Sequence, residues 1–249
     1  MMSRGQGLQM KSSRSISAVL AGYNEESNID RSMGMLYDSL ENHFEKFELI
    51  LIDDASTDST LEKMLSFAKM HKDVRVLPNY ANLNFGSSVL RGLMAARNDF
   101  VIYNACDLPL SVDDMARLII DMPDGIDVLV LERTEYKTTH WRGITSNVNK
   151  LLLKILFPGL TKGTPVLNFV QIYKKNVLKE IVPLARSPIF VWPELVFRAK
   201  LGGFAVKNVQ AKYSGGTSVR RGAFGHPHDI IWGIYDMLRF RIRLWGKSY

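Results

Sequence analysis

The sequence predicts an α/β fold: a mostly parallel sheet flanked by helices, followed by a C-terminal amphipathic helix. Three observations predict it. Short apolar runs without polar alternation recur through the first half, as strands buried on both faces require. Segments with apolar residues at helical spacing follow these runs after short links, the repeating βα pattern of a parallel sheet. Polar, acid-rich clusters stand immediately after the runs, where the carboxyl ends of parallel strands gather ligand-binding loops.

Residues 15–21 (SISAVLA) form the first strand, which stops at Gly22. From 27 to 44, Ile29, Met33, Leu36, Leu40 and Phe44 recur every three or four residues, the spacing of one helix face. The run 47–52 (FELILI) completes a βαβ unit and leads into DDASTDST. A helix over 57–70, a strand over 74–79, a helix over 87–97 and a strand over 100–105 (FVIYNA) continue the alternation. A helix over 112–120 comes next, with Ser111 and Asp114 as its N-terminal signature. The second half is less regular, with strands at 126–132, 166–173 and 204–210 and helices over 145–156 and through 194–200. A Gly-, Ser- and Arg-rich loop, 214–229, precedes a last helix on which Ile230, Ile234, Leu238, Ile242 and Trp245 share a face. Arg239, Arg243 and Lys247 lie around that face.

No Pro/Gly/Ser-rich linker and no internal repeat divides the chain. The expected organisation is a disordered basic tail over 1–14, one domain over 15–225, and a C-terminal helix over 226–249. That helix is either docked on the domain or seated at a membrane interface, where Trp232, Tyr235 and Trp245 would suit the headgroup depth. The chain of 249 residues is 46% hydrophobic, ample for a packed core. Its 32 Lys and Arg against 25 Asp and Glu leave a net charge of +7, which favours anionic partners. Nucleic acid is not among the expected partners, because no stacking or groove-reading motif accompanies the charge. The longest apolar stretch, 151–160, is interrupted by Lys154 and Pro158 and falls short of the roughly 20 residues of a spanning helix. Residues 1–15 lack the apolar centre of an export signal, and Cys106 has no partner for an internal disulfide; both point to a cytoplasmic protein.

The strand ends carry Tyr23-Asn24-Glu25-Glu26, Asp53-Asp54, Asn82 to Gly86, and Asp107. Capping of the next helix accounts for Ser56 or Asp58. It does not account for two adjacent acids closing an apolar strand, where repulsion and desolvation disfavour both without a partner. Base N–H groups and ribose hydroxyls are partners of the right kind.

AGYNEESNI, LILIDDASTDST, Asn84-Phe85-Gly86 and VLRGLMAARNDFVIYNACDLP, in this order and spacing, resemble the family-2 glycosyltransferases of the GT-A fold. Within them the chain is similar to the polyprenyl-phosphate, dolichol-phosphate mannose synthase-like branch. WRGITSNVNKLLLKILF, NFVQIYKKNVLKEI and PELVFRAKLGGFAVKNV extend the resemblance more loosely, so that it spans about residues 15–218. It implies inverting transfer of a sugar from a UDP- or GDP-linked donor to a polyprenyl phosphate or another glycan acceptor. The enzyme would work at the cytoplasmic membrane face as a peripheral protein. Tyr23, Glu25, Asp53, Asp54, Asn84 and Gly86 would line the nucleotide site, with Asp54 at the base or ribose. Asp107 would hold a divalent metal, Mg²⁺ or Mn²⁺, and the diphosphate. Glu194 would lie near the acceptor, and Arg142 near phosphate groups.

The chain also departs from the family pattern. Asp-x-Asp-Leu-Gln falls on Ala105-Cys106-Asp107-Leu108-Pro109, and the arginine of a later R-x-x-G-x-S falls on Tyr213. One carboxylate suffices chemically, since Mg²⁺ takes most of its ligands from phosphates and water. Arg220 and Arg221 offer replacement charge for the diphosphate. A lipid phosphate is already anionic and needs no general base, whereas a hydroxyl acceptor would make Glu194 the candidate base. The alternative is a catalytically degenerate protein that binds nucleotide sugar and has lost turnover.

Overall fold

Strands form where apolar residues run without interruption, and helices where they recur every third or fourth position. The computed structural model describes residues 10–106, 108, 110–133, 140–163, 170–185, 187, 189–211 and 227–245. The first half alternates regularly: β1 (Ser12–Gly22), α1 (Ile29–His43), β2 (Phe44–Asp53), α2 (Thr60–Met70), β3 (Val74–Pro78), α3 (Asn84–Ala95), β4 (Phe100–Ala105) and α4 (Val112–Ile120). The second half comprises β5 (Val128–Arg133), α5 (His140–Leu156), α6 (Pro158–Thr161), β6 (Gln171–Lys174), α7 (Lys175–Glu180), α8 (Val191–Leu201), β7 (Val206–Ala211) and α9 (Pro227–Arg243).

The described strands make one seven-stranded sheet in the order β3-β2-β1-β4-β6-β5-β7. β6 pairs antiparallel with β4 and β5, and the other pairings are parallel. After β1 the chain steps outward to β2 and β3, then returns to the other side of β1 as β4. The strand order therefore reverses between β1 and β4, and ligands of open α/β sheets bind beyond the carboxyl ends at such a point. The register brings those ends level, with Gly22 opposite Asp53, Ala21 opposite Ala105, and Asp53 opposite Pro78.

Alternate strand residues serve two buried layers. Val19, Ile50, Val101, Tyr103 and Val130 face a core that includes Val89 of α3, Phe197 of α8 and Phe240 of α9. Leu20, Leu49, Leu51, Ile102 and Leu129 face a second core with Met33 of α1, Met64 of α2 and Met115 of α4. Both faces being covered explains the near-continuous apolar strands.

Several boundaries differ from the sequence reading. β1 begins at Ser12, so residues 12–14, assigned there to the tail, are sheet. Arg14 holds them by donating to the carbonyls of Ile119 (2.6 Å) and Met122 (2.7 Å) and pairing with Asp124. α3 starts at Asn84 rather than 87, and α8 at Val191. α6 and α7 were not anticipated; with four and six residues they are too short to display a helical period. β6 spans Gln171–Lys174, while 166–169 of the expected 166–173 strand fall outside the described residues.

The last helix docks through a face other than its apolar stripe. α9 docks through Gly233, Asp236, Met237, Phe240 and Leu244, all buried. The stripe Ile234, Leu238, Ile242 and Trp245 points away from the protein. No helix among the described residues is long and apolar enough to cross a membrane.

Candidate active site

The loops after the first four parallel strands share a backbone peculiarity. Among the described residues, positive φ at non-glycine positions occurs at Asn24 (54°), Ala55 (61°), Asn84 (68°) and Leu108 (44°). Asn24, Ala55 and Leu108 closely follow β1, β2 and β4, and Asn84 opens α3 after β3. A side chain in this region costs about 1–2 kcal/mol, less for Asn, and such strain gathers where a loop must be held for function.

The first two loops are laced together. The backbone amides of Asn24 and Glu25 donate to Ser56 Oγ (3.0 Å) and Thr60 Oγ1 (2.8 Å). In return, Thr57 N donates to Asn24 Oδ1 (2.8 Å) and Ser59 Oγ to Glu26 Oε2 (2.7 Å). Asp58 accepts from Thr60 Oγ1 (2.5 Å) and Thr60 N (3.0 Å). Burial raises the Asp58 pKa, but these hydrogen bonds outweigh it and lower the value overall. The hydroxyl-rich DDASTDST segment thus serves mainly to fix one loop against its neighbour. Glu25 lies within this lacing and accepts from Asn28 Nδ2 (3.0 Å), and Tyr23 stands 45% exposed at the rim.

The paired acids divide their roles. Asp54 is buried, and its Oδ1 accepts from Ser88 Oγ (2.7 Å), Asn79 Nδ2 (2.8 Å) and Leu83 N (2.8 Å). Arg91 continues the network through Asn79 Oδ1 and the Pro78 carbonyl. Asp53 is buried too, and its Oδ2 accepts from Ser56 N (3.1 Å). Its Oδ1 has no hydrogen-bond donor among the described residues. An ionised oxygen without a donor is costly in a buried place, so this atom calls for a ligand's N–H or O–H. Asn79 and Ser88 were not singled out from sequence; the serine two residues beyond Gly86 was the only available signal. Asn84 and Gly86 occupy the first turn of α3, Asn84 exposed and Gly86 buried.

At the end of β4, Leu108 N closes a turn onto the Ala105 carbonyl (2.9 Å). Cys106 is buried, and its thiol donates to the Ala21 carbonyl (3.2 Å), consistent with a small core residue. Asp107, between them in sequence, lies outside the described residues, as do Arg220, Arg221 and Tyr213. Arg142 falls in the first turn of α5, with its side chain outside the described set. No group of three or more His, Cys, Asp or Glu that could hold a metal occurs among the described residues.

Glu194 is 1% exposed within α8, a helix buried on almost every side. Its carboxylate accepts from Leu184 N (3.0 Å), Ala185 N (2.7 Å) and Arg198 Nε (2.7 Å), and pairs with the Arg198 terminal nitrogen at 2.7 Å. These bonds tie the 184–185 backbone to α8. Two residues before it, Trp192 stacks on Tyr103 of β4, ring centroids 4.5 Å apart.

The family model for glycosyl transferase family 2 matches residues 17–181. An undecaprenyl-phosphate 4-deoxy-4-formamido-L-arabinose transferase of Proteus mirabilis is 30% identical over 142 residues, covering 56% of this chain and 43% of that protein. The Salmonella typhimurium protein of the same description is 25% identical over 143 residues, covering 57% and 43%. The matched region thus spans less than half the length of these relatives. Among solved structures, glucosyl-3-phosphoglycerate synthase of Mycobacterium tuberculosis, in complex with Mn²⁺, UDP and phosphoglyceric acid, superposes with a TM-score of 0.64 at 19% identity. It covers 92% of this chain and 78% of that one. Mannosyl-3-phosphoglycerate synthase of Rubrobacter xylanophilus gives 0.65 at 16%, covering 95% and 77%. These structural neighbours share the fold.

Proposed function

The chain belongs to glycosyl transferase family 2, and from that premise we propose that it moves a sugar from a nucleoside diphosphate donor to a phosphate acceptor, with polyprenyl phosphate the leading candidate. The observation that carries the donor site is the buried Asp53 carboxylate. One oxygen is held by Ser56 N, and the other lacks a donor among the described residues, at the level where β1, β2 and β4 end. A base imide or a ribose hydroxyl supplies that donor. Asp54, already accepting three hydrogen bonds on one oxygen, acts behind Asp53 by fixing the loop after β3.

The state of Glu194 supports a phosphate acceptor. Engaged with Arg198 and two backbone amides, it is poorly placed to take a proton from a hydroxyl. A phosphate monoester carries its attacking oxygen already ionised near neutral pH, so no base is needed. That oxygen attacks the anomeric carbon from the face opposite the diphosphate. The new C–O bond forms as the bond to the β-phosphate oxygen breaks, the electron pair leaves with the nucleoside diphosphate, and the configuration inverts. The undecaprenyl-phosphate named in the descriptions of the two relatives agrees with this class of acceptor.

A divalent ion would be held by Asp107, with donor phosphates and water as its remaining ligands, and would supply charge stabilisation for the leaving diphosphate. Because no cluster of ligating side chains occurs among the described residues, metal and donor should bind together. Arg142, Arg220 and Arg221 are proposed to add positive charge around the phosphates.

Titration with UDP-, GDP- and dTDP-sugars, with and without Mn²⁺, tests the reading. The expected result is metal-dependent binding of one donor, lost in Asp107→Ala, with nucleoside diphosphate released faster when polyprenyl phosphate is added. Binding of no donor would overturn it. Tight binding without turnover in the presence of lipid-phosphate and sugar acceptors would leave a protein that works by binding alone.

A further inference from the structure

α9 presents two apolar faces, and only one is explained by the fold. At 3.6 residues per turn, Gly233, Met237, Phe240 and Leu244 fall on one side, the docked one. Close approach is built in there: a Cβ on Gly233 would lie 3.2 Å from Ile189 Cβ and 3.3 Å from Ser187 Oγ. On the opposite side Ile231, Leu238 and Ile242 are 67%, 47% and 64% exposed, and Trp245 is 84% exposed. Exposed Arg239 and Arg243 border this stripe on one side and half-buried Arg241 on the other. Trp232 and Tyr235, both about half exposed, pack edge to face at 5.6 Å.

α5, which packs against α9, carries a stripe of the same kind. Val148, Leu151 and Ile155 are more than half exposed, and Lys150 and Lys154 are exposed beside them. The sign of the charge selects the occupant. From Ile230 to Trp245 there is one acid, Asp236, and it is buried, accepting from Ser187 N (2.9 Å). From Ser146 to Leu156 there is none. Two copies meeting through this face would bring cationic rims together, because a two-fold contact opposes a patch to itself. An anionic lipid surface complements both features, with apolar side chains entering the acyl boundary and arginines and lysines meeting phosphates.

We propose that the outward stripes of α5 and α9 form a docking face for an anionic lipid bilayer. The proposal does not depend on the identity of donor or acceptor, so its test uses vesicles free of polyprenyl phosphate. The full chain is floated with vesicles of phosphatidylcholine, alone or mixed with phosphatidylglycerol, over a series of salt concentrations, and compared with a Leu238→Glu/Ile242→Glu double variant. The expected result is recovery of the wild type with the anionic vesicles, weakened by salt. The double variant should need at least about tenfold more lipid for half-binding, with an unchanged circular dichroism spectrum. Should the double variant lose its fold, Trp245→Ala carries the same comparison. Absence of flotation with either vesicle, or flotation that these variants leave unchanged, overturns the proposal. So does a concentration-dependent dimer that the double variant abolishes while neither protein floats.

Discussion

Asp53 and Asp54 are chemically identical neighbours, and what surrounds each decides its part. Removing the Asp54 carboxylate takes a shared acceptor from the buried Ser88 hydroxyl, the Asn79 amide and Leu83 N, while Asn79 Nδ2 keeps its bond to Ser88 Oγ. Asp54→Ala is therefore expected to destabilise the protein by about 3 kcal/mol, read by urea unfolding. Asp53→Asn keeps the shape and removes a charge that, among the described residues, Ser56 N alone engages. It should leave stability within about 1 kcal/mol while weakening donor binding at least about tenfold, read by calorimetric titration. The adjacency of two acids at a strand end was legible in the sequence; their division of labour was not. Asn79 and Ser88 stand 25 and 34 residues from Asp54, and nothing local announces that they converge on it. Glu194 shows the same limit, since its i,i+4 relation to Arg198 was readable but the two amides of the 184–185 backbone were not.

Among the elements, β4 and α4 fall at the predicted boundaries because of a sharp change in pattern, from a β-branched run to an amphipathic segment, although Ser111 at the N-cap of α4 makes no side-chain capping hydrogen bond. α9 was legible as an amphipathic helix, yet the more conspicuous apolar stripe is the exposed one. A glycine and a buried aspartate dilute the docked face, and both are read from sequence as polar or neutral. α3 packs on the sheet through Gly92, where a Cβ would overlap Val19 Cγ1 and lie 3.3 Å from Ile52 Cγ1. Gly92→Ala should therefore destabilise by about 1–3 kcal/mol in thermal unfolding, even though alanine is favoured over glycine inside a helix by about 1 kcal/mol.

At the scale of the whole molecule, the sheet is clamped at its amino edge opposite the candidate site. Glu48 accepts from Ser17 Oγ (2.6 Å), Arg97 N (2.6 Å) and Arg75 (2.7 Å), tying β1, β2, β3 and the link before β4. Burial raises the Glu48 pKa, and these three donors together outweigh it and lower the value overall. A carboxylate whose folded pKa lies below its unfolded one contributes stability that is complete above the ordinary value of 4.5 and fades as pH falls through the folded value. Melting temperatures followed downward from neutral pH should fall less steeply in Glu48→Gln than in the wild type over that acid range. The variant should start lower, because one oxygen of the clamp is exchanged for an amide.

The mixed sheet also has a consequence in time. β1 to β4 pair among themselves within residues 12–105, whereas the far side of β4 meets its partner only at Gln171–Lys174. Closing that longer loop adds little to the entropic penalty of pairing, which grows only with the logarithm of its length. The delay comes from synthesis. At about 5–20 residues per second, the ribosome needs roughly 3–14 s to add the 69 residues from 105 to 174. Through that interval the early half of the sheet has an open apolar strand as its flank, a surface on which another nascent chain can pair.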